Sequence, residues 1–326
     1  MTAKLRYLDR KALFYFIFGF ILIFSLGCKD LKSKFSNIFL ERDLLEQPSA
    51  QRCGECHKDI HKEWKKSRHA QAWVSEDFIK ESKNRTDEKC LACHASFPIW
   101  AKESSFVEEP DLREKHLDDG IYCVSCHFDP HRRAMIGPYD LWSPPHPSQK
   151  DDKILSSHLC SVCHQDTFSE WESSGVETTC QSCHMPDIGK KYLTQKFPFG
   201  LLHSKKKRTS HEFPALIAQQ KDIDVKVQKD IGGFYVYIVN KGVPHNLPTA
   251  DQGNPKLYIF IYKDNSSDPA EVLIFSPQQE NSLEYMVPVS RYIEGVPRSV
   301  KVIVERKLSW KDERDKIGEW NFQVSP

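Results

Sequence analysis

The sequence predicts a mixed fold in two parts: short helices and loops up to about residue 214, then a β-rich, sandwich-like module. Two observations divide the chain this way. Ten of its eleven cysteines fall in five copies of the pattern C-x-x-C-H, all between Cys53 and His184. Beyond about Ala215 the chain changes to β-branched and aromatic runs separated by turn residues.

The N-terminus comes first. Lys4, Arg6, Arg10 and Lys11 precede a continuous apolar stretch from Ala12 to Gly27. That is the charge and hydropathy pattern of an export signal. Ser25-Leu26-Gly27 before Cys28 resembles a relaxed lipoprotein cleavage box, so residues 1–27 read as a lipoprotein-type signal peptide and Cys28 as the lipidated residue. The competing reading is an uncleaved anchor helix, for which the stretch is slightly short. Residues 28–51 read as a polar tether. The mature chain is therefore expected outside the cytoplasm, periplasmic or at the cell surface, and held at a membrane.

The five motifs are Cys53-Cys56-His57, Cys90-Cys93-His94, Cys123-Cys126-His127, Cys160-Cys163-His164 and Cys180-Cys183-His184. This spelling is the attachment signal of c-type haem. Two thiols add across the two vinyl groups of a porphyrin, and the adjacent imidazole binds the iron as proximal ligand. A redox dithiol needs no histidine at the next position, and paired C-x-x-C zinc sites leave one motif over. Residues 52–214 thus read as a pentahaem domain with five covalently bound haem c groups. It has few long apolar runs, so the porphyrin faces are expected to supply much of its core, and the segment without haem is expected to be unfolded or nearly so.

A formal charge of +1 gives no reason to expect a nucleic-acid partner. Haem propionates would make the holoprotein acidic. Lys205-Lys206-Lys207-Arg208 reads as a solvated loop, or as a patch for propionates or an acidic partner.

The gap between the fourth and fifth motifs is the shortest, so those two haems are expected to be neighbours. The chain also contains an internal echo. Cys56 to Ser67 and Cys163 to Ser174 both spell C-H-x-D-x-x-x-E-W-x-x-S. Each tryptophan lies seven residues after its histidine, two helical turns along one face, which predicts a short helix after each motif. Prolines at 130, 138, 144, 145 and 147 predict irregular chain between the third and fourth motifs. The module over residues 215–326 is expected to carry strands at Ile223–Gln228, Phe234–Asn240, Leu257–Tyr262, Val272–Phe275 and Ser299–Leu308.

Nine histidines lie outside the motifs, enough for every iron to take a second imidazole. His61 is one turn from His57 on the same face, so it cannot reach the far side of that haem. His131 sits in an irregular loop able to fold back. It is the choice for a fifth distal ligand, with His116, His158 and His203 left open.

The chain resembles the multihaem c-type cytochromes related to the tetrahaem electron carriers of ammonia oxidisers. The strings that carry the resemblance are W-x-x-S-x-H-A (Trp64 to Ala70), G-P-Y-D then S-P-x-H (Gly137 to His146), E-W-x-x-S (Glu170 to Ser174), C-Q-S-C-H-M-P (Cys180 to Pro186), R-x-S-H-x-F-P (Arg208 to Pro214) and N-x-G-x-x-H-x-x-P-T (Asn240 to Thr249). Together they span roughly residues 53 to 262. The resemblance implies distal ligands at His69, His146, His211 and His245. If His245 is one, the β-rich module is pinned to the haem domain. The function expected is electron transfer between redox proteins, without a catalytic residue. The alternative is a multihaem oxidoreductase acting on a small nitrogen or sulfur compound at one five-coordinate haem. A third reading makes the chain a subunit of a larger cytochrome assembly, with the β module as the contact.

Overall fold

The structure, a computed structural model, describes residues 40–250 and 252–324. The expected signal peptide, most of the tether and Cys28 lie outside the described residues. Among the described residues no helix is long and apolar enough to cross a membrane.

The N-terminal part consists of short helices: α1 (Ala50–Gly54), α2 (Lys58–Trp64), α3 (Glu76–Glu81), α4 (Glu88–His94), α5 (Cys123–His127), α6 (His158–Ser161), α7 (Gln165–Ser173), α8 (Cys180–His184) and α9 (Phe199–Leu202). Every C-x-x-C-H motif forms a helical turn. Three of them end helices α4, α5 and α8 outright. In the first and fourth, the histidine N–H bonds the carbonyl of the first cysteine: His57 to Cys53 at 3.0 Å and His164 to Cys160 at 2.9 Å. These two histidines then serve as N-caps of α2 and α7, the expected post-motif helices.

Small sheets appear where short helices and loops were expected to dominate. Strands β1 (Phe128–Asp129), β2 (Ala134–Gly137) and β3 (Ser148–Lys150) form one, with β2 and β3 parallel. Strands β4 (Asp187–Lys191) and β5 (Lys206–Thr209) form an antiparallel pair. The basic run is thus strand rather than solvated loop. Arg208 is buried and pairs with Glu63, and Lys207 reaches Asp187 at 3.2 Å.

The C-terminal module is built from β6 (Ile223–Asp230), β7 (Gly233–Asn240), β8 (Lys256–Lys263), β9 (Glu271–Phe275), β10 (Val289–Glu294), β11 (Ser299–Lys307) and β12 (Arg314–Gln323). They form a three-stranded sheet in the order β10-β7-β6 and a four-stranded sheet in the order β12-β11-β8-β9, all antiparallel. Alternation along each strand sends every second side chain inward. Phe234, Val236 and Ile238 on one sheet and Ile259, Ile261, Val302 and Val304 on the other are buried in a single continuous cluster. Two sheets sharing one core make a sandwich.

The N-terminal part has nothing comparable. Most of its buried apolar residues fall in three small clusters, around Trp64 and Tyr122, around Trp100 and Ile136, and around Trp73 and Phe78.

Candidate functional site

The site is assembled from the motif histidines and the loops that meet them. Three loop histidines each face a motif histidine. His146 lies opposite His57 with ring centroids 6.4 Å apart, His211 opposite His127 at 6.2 Å, and His69 opposite His164 at 6.2 Å. Two imidazoles that share one metal, each with a nitrogen about 2 Å from it, have centroids about 6.3 Å apart. The three separations match that spacing.

The rings are prepared for ligation in two ways. Burial pushes their pKa values down, to about 3 for His69 and about 4 for His146 and His211, so they stand neutral at ordinary pH, the form that binds metal. The second nitrogen is also held. His57 Nδ1 donates to the Leu193 carbonyl at 2.6 Å, His94 Nδ1 to Ala72 at 2.6 Å and His127 Nδ1 to Ile136 at 2.8 Å. A donor at Nδ1 leaves the Nε2 lone pair free and fixes the ring plane. His211 and His245 do the same with the carbonyls of Thr209 (3.2 Å) and Asn246 (2.9 Å).

Local structure explains the placement of His69. Its carbonyl accepts from Ile121 N–H at 2.9 Å. Gly120, at φ +60, runs so close that a Cβ there would come within 2.3 Å of that carbonyl. Glycine is the residue that tolerates both the positive φ and the approach. Phe213 stands edge-on to His69 at 4.5 Å and to His211 at 6.1 Å, so one side chain packs both loop imidazoles. Sequence reasoning passed over Phe213, although it sits in the R-x-S-H-x-F-P string.

His245 lies on the loop between β7 and β8. Burial is the main cause that lowers its pKa, and the nearby His184 imidazole lowers it further. His184 Nδ1 is 3.4 Å from the Pro214 carbonyl. The His94 ring stacks on Phe78 at 4.0 Å, and among the described residues no histidine ring is in ring contact with His94 or with His184. His131, the expected fifth ligand, is exposed on the turn after β1, with its backbone N–H on Asp129 at 2.8 Å, and it makes no ring contact with His94. His116 and His158 are exposed as well, while His203 is half-buried near His57.

The cysteines give the mutual positions of the motifs. The thiol of Cys53 lies beside that of Cys123, Cys93 beside Cys163, and Cys160 beside Cys180. Cys126 lies near Cys160 and Cys163. The first motif therefore adjoins the third, the third adjoins the fourth, and the fourth adjoins both the second and the fifth. The expected closeness of the fourth and fifth is part of this arrangement.

These residues fit a haem group. All ten motif cysteines, Cys53, Cys56, Cys90, Cys93, Cys123, Cys126, Cys160, Cys163, Cys180 and Cys183, are free thiols rather than disulfides. Buried polar atoms stand without partners beside the motifs: Tyr122 OH next to Cys123, Arg132 Nη2 and Arg208 Nε. A guanidinium nitrogen without a protein partner, as on Arg132, suits an anionic group such as a propionate. The fragmented apolar clusters leave a core that a large apolar cofactor would complete.

Comparison with known proteins agrees with this chemistry. The family "Cytochrome c554 and c-prime" matches residues 52–128. The chain is 24% identical over 160 residues to cytochrome c-554 of Nitrosomonas europaea, covering 45% of this chain and 61% of that protein's length. The crystal structure of a penta-heme cytochrome c552 from Thermochromatium tepidum has a similar fold, with a TM-score of 0.57 and 16% identity over 86% of this chain and all of that one. The chain is thus similar in sequence to multihaem c-type cytochromes of ammonia oxidisers over part of its length, and similar in fold to a penta-heme cytochrome.

Proposed function

We propose that this chain is an exported pentahaem cytochrome that passes electrons between redox proteins. The observation that carries the reading is the set of three imidazole pairs at 6.2–6.4 Å. Each haem, when bound, supplies a one-electron iron couple.

The chain's own residues hold and space the cofactors. The ten motif cysteines would form the thioethers, and His57, His94, His127, His164 and His184 would be the proximal ligands. His146 would complete the site of His57, His211 that of His127, His69 that of His164 and His245 that of His184. Two imidazoles held on one haem iron would leave no ligand position for a substrate, which suits electron transfer. The thiol contacts support a relay order running from the first motif to the third, fourth and fifth, with the second beside the fourth.

Cys28 would carry a lipid and tether the mature chain to a membrane after removal of residues 1–27. Its partners would be a redox protein donor and a redox protein acceptor. Low-temperature EPR of the oxidised protein tests the ligation. At least four low-spin haems are expected, and two or more high-spin haems would refute the assignment.

A second reading rests on His94, which packs on Phe78 instead of facing a histidine. The site of the second motif would then keep one axial position open and bind a small nitrogen or sulfur compound. Growth of a single ligand-shifted haem signal on titration with nitrite supports it.

A further inference from the structure

The echoed string C-H-x-D-x-x-x-E-W-x-x-S has a structural meaning beyond one motif. In the first copy, Trp64 Nε1 donates to the Ile121 carbonyl at 2.8 Å. In the second, Trp171 Nε1 donates to the Thr178 carbonyl at 2.9 Å. Ile121 stands two residues before Cys123, and Thr178 stands two residues before Cys180. Each tryptophan therefore anchors the lead-in to a different motif, the third in one copy and the fifth in the other. The same motifs make the thiol contacts Cys53–Cys123 and Cys160–Cys180.

The glutamates repeat the logic on the opposite ligand. Glu63 accepts from Arg208 Nη1 at 2.9 Å and Nη2 at 2.7 Å, and from the backbone N–H of His211 at 3.2 Å. Glu170 accepts from the backbone N–H of Asn246 at 3.1 Å and from the Thr249 hydroxyl at 2.6 Å. Asn246 directly follows His245. Thr249 is also in hydrogen-bond contact with Thr167 of α7 at 2.7 Å. In both copies the carboxylate grips the loop at, or next to, a histidine: His211, whose ring faces His127 of the motif Trp64 anchors, and His245, which lies near His184 of the motif Trp171 anchors.

We infer that Glu63 and Glu170 are positioning residues for the distal ligands of neighbouring haems, Glu63 for His211 and Glu170 for His245. The echo is then a duplicated two-haem clamp. The helix after one motif would hold both ligands of a neighbouring haem, the proximal one through Trp and the distal one through Glu. A loop imidazole has no sheet or helix to hold it, so its distance from the iron depends on such a grip. This inference rests on the ligand assignment proposed above.

The test uses the mature holoprotein, checked by mass for a full haem complement, and reads low-temperature EPR. H245A is expected to turn one low-spin haem high-spin. E170A is expected to turn the same haem high-spin, or to shift its low-spin g-values. E170Q keeps an acceptor oxygen at the same place and is expected to stay low-spin. T249V removes one donor without changing side-chain size, and it should shift the g-values of that haem even if E170A fails to accumulate. If H245A converts a haem while E170A and T249V leave all signals unchanged, the inference is overturned and the ligand assignment stands. If H245A changes nothing, the ligand assignment falls and the clamp falls with it.

Discussion

Replacing Glu63 with glutamine should be far more costly than an ordinary surface change. Glu63 and Arg208 form a bidentate pair, at 2.7 and 2.9 Å, across 145 positions of sequence. The Arg208 side chain is 5% exposed and that of Glu63 is 18% exposed, so solvent screens neither charge well. E63Q keeps the shape and removes the charge, which strands a buried guanidinium. Breaking a buried pair from one side typically costs about 3–5 kcal/mol. The amide oxygen still accepts one bond, so the lower end, about 3 kcal/mol, is expected. Replacing both partners, E63Q with R208M, removes the stranded charge and should recover most of that loss, ending within about 1 kcal/mol of the parent. The assay is equilibrium urea unfolding of the holoprotein, followed by far-UV circular dichroism. A loss below about 1 kcal/mol for E63Q would mean that the pair behaves as a solvated surface bridge. A double variant no more stable than the single one would refute the buried-charge argument.

Three further outcomes are expected. H69A, H146A and H211A should each turn one haem from low-spin to high-spin in the EPR spectrum, a different haem in each case, and a silent variant would remove that ligand. I259A in β8 empties a fully buried position of the sandwich and should cost about 2–5 kcal/mol in urea unfolding, while the haem spectrum of the folded protein stays unchanged. Cyanide should bind one haem per chain, at the site of His94, and F78A, which removes the ring stacked at 4.0 Å, should change the affinity of that haem alone. Binding of several equivalents, or an F78A variant indistinguishable from the parent, would count against the single open position.

Much of the site could be read because haem attachment is local. Two thiols and an imidazole within five residues make a complete unit, so motif spelling alone pointed to all five. The distal side is not local. His69 and His164 are far apart in sequence, as are His57 and His146, and no spacing rule says which loop meets which motif. The family strings supplied candidate ligands but not their pairing. His131 was chosen because its loop looked able to fold back, yet Asp129 caps that turn and leaves the ring exposed. The Glu63 and Glu170 echo was visible as spelling, while its contacts appear only once strands β4 and β5 and the β7–β8 loop are placed.

In the β module, strands with alternating β-branched residues such as β7, β8 and β11 were legible. Two were not. In β10 only Ile293 is buried, and the strand sits at a sheet edge with polar residues. The other, β12, opens Arg-Asp-Lys and reads as a charged loop until its pairing with β11 is seen. The β1–β3 and β4–β5 sheets were missed because strands of two to five residues are too short to carry a periodic signal.

The proposed function depends on five covalently held haems. Intact-mass spectrometry of the exported protein, after acid–organic extraction that strips non-covalent haem, should return the mass of the processed polypeptide plus five haem groups. A mass with four or fewer, or one equal to the bare chain, would contradict the account.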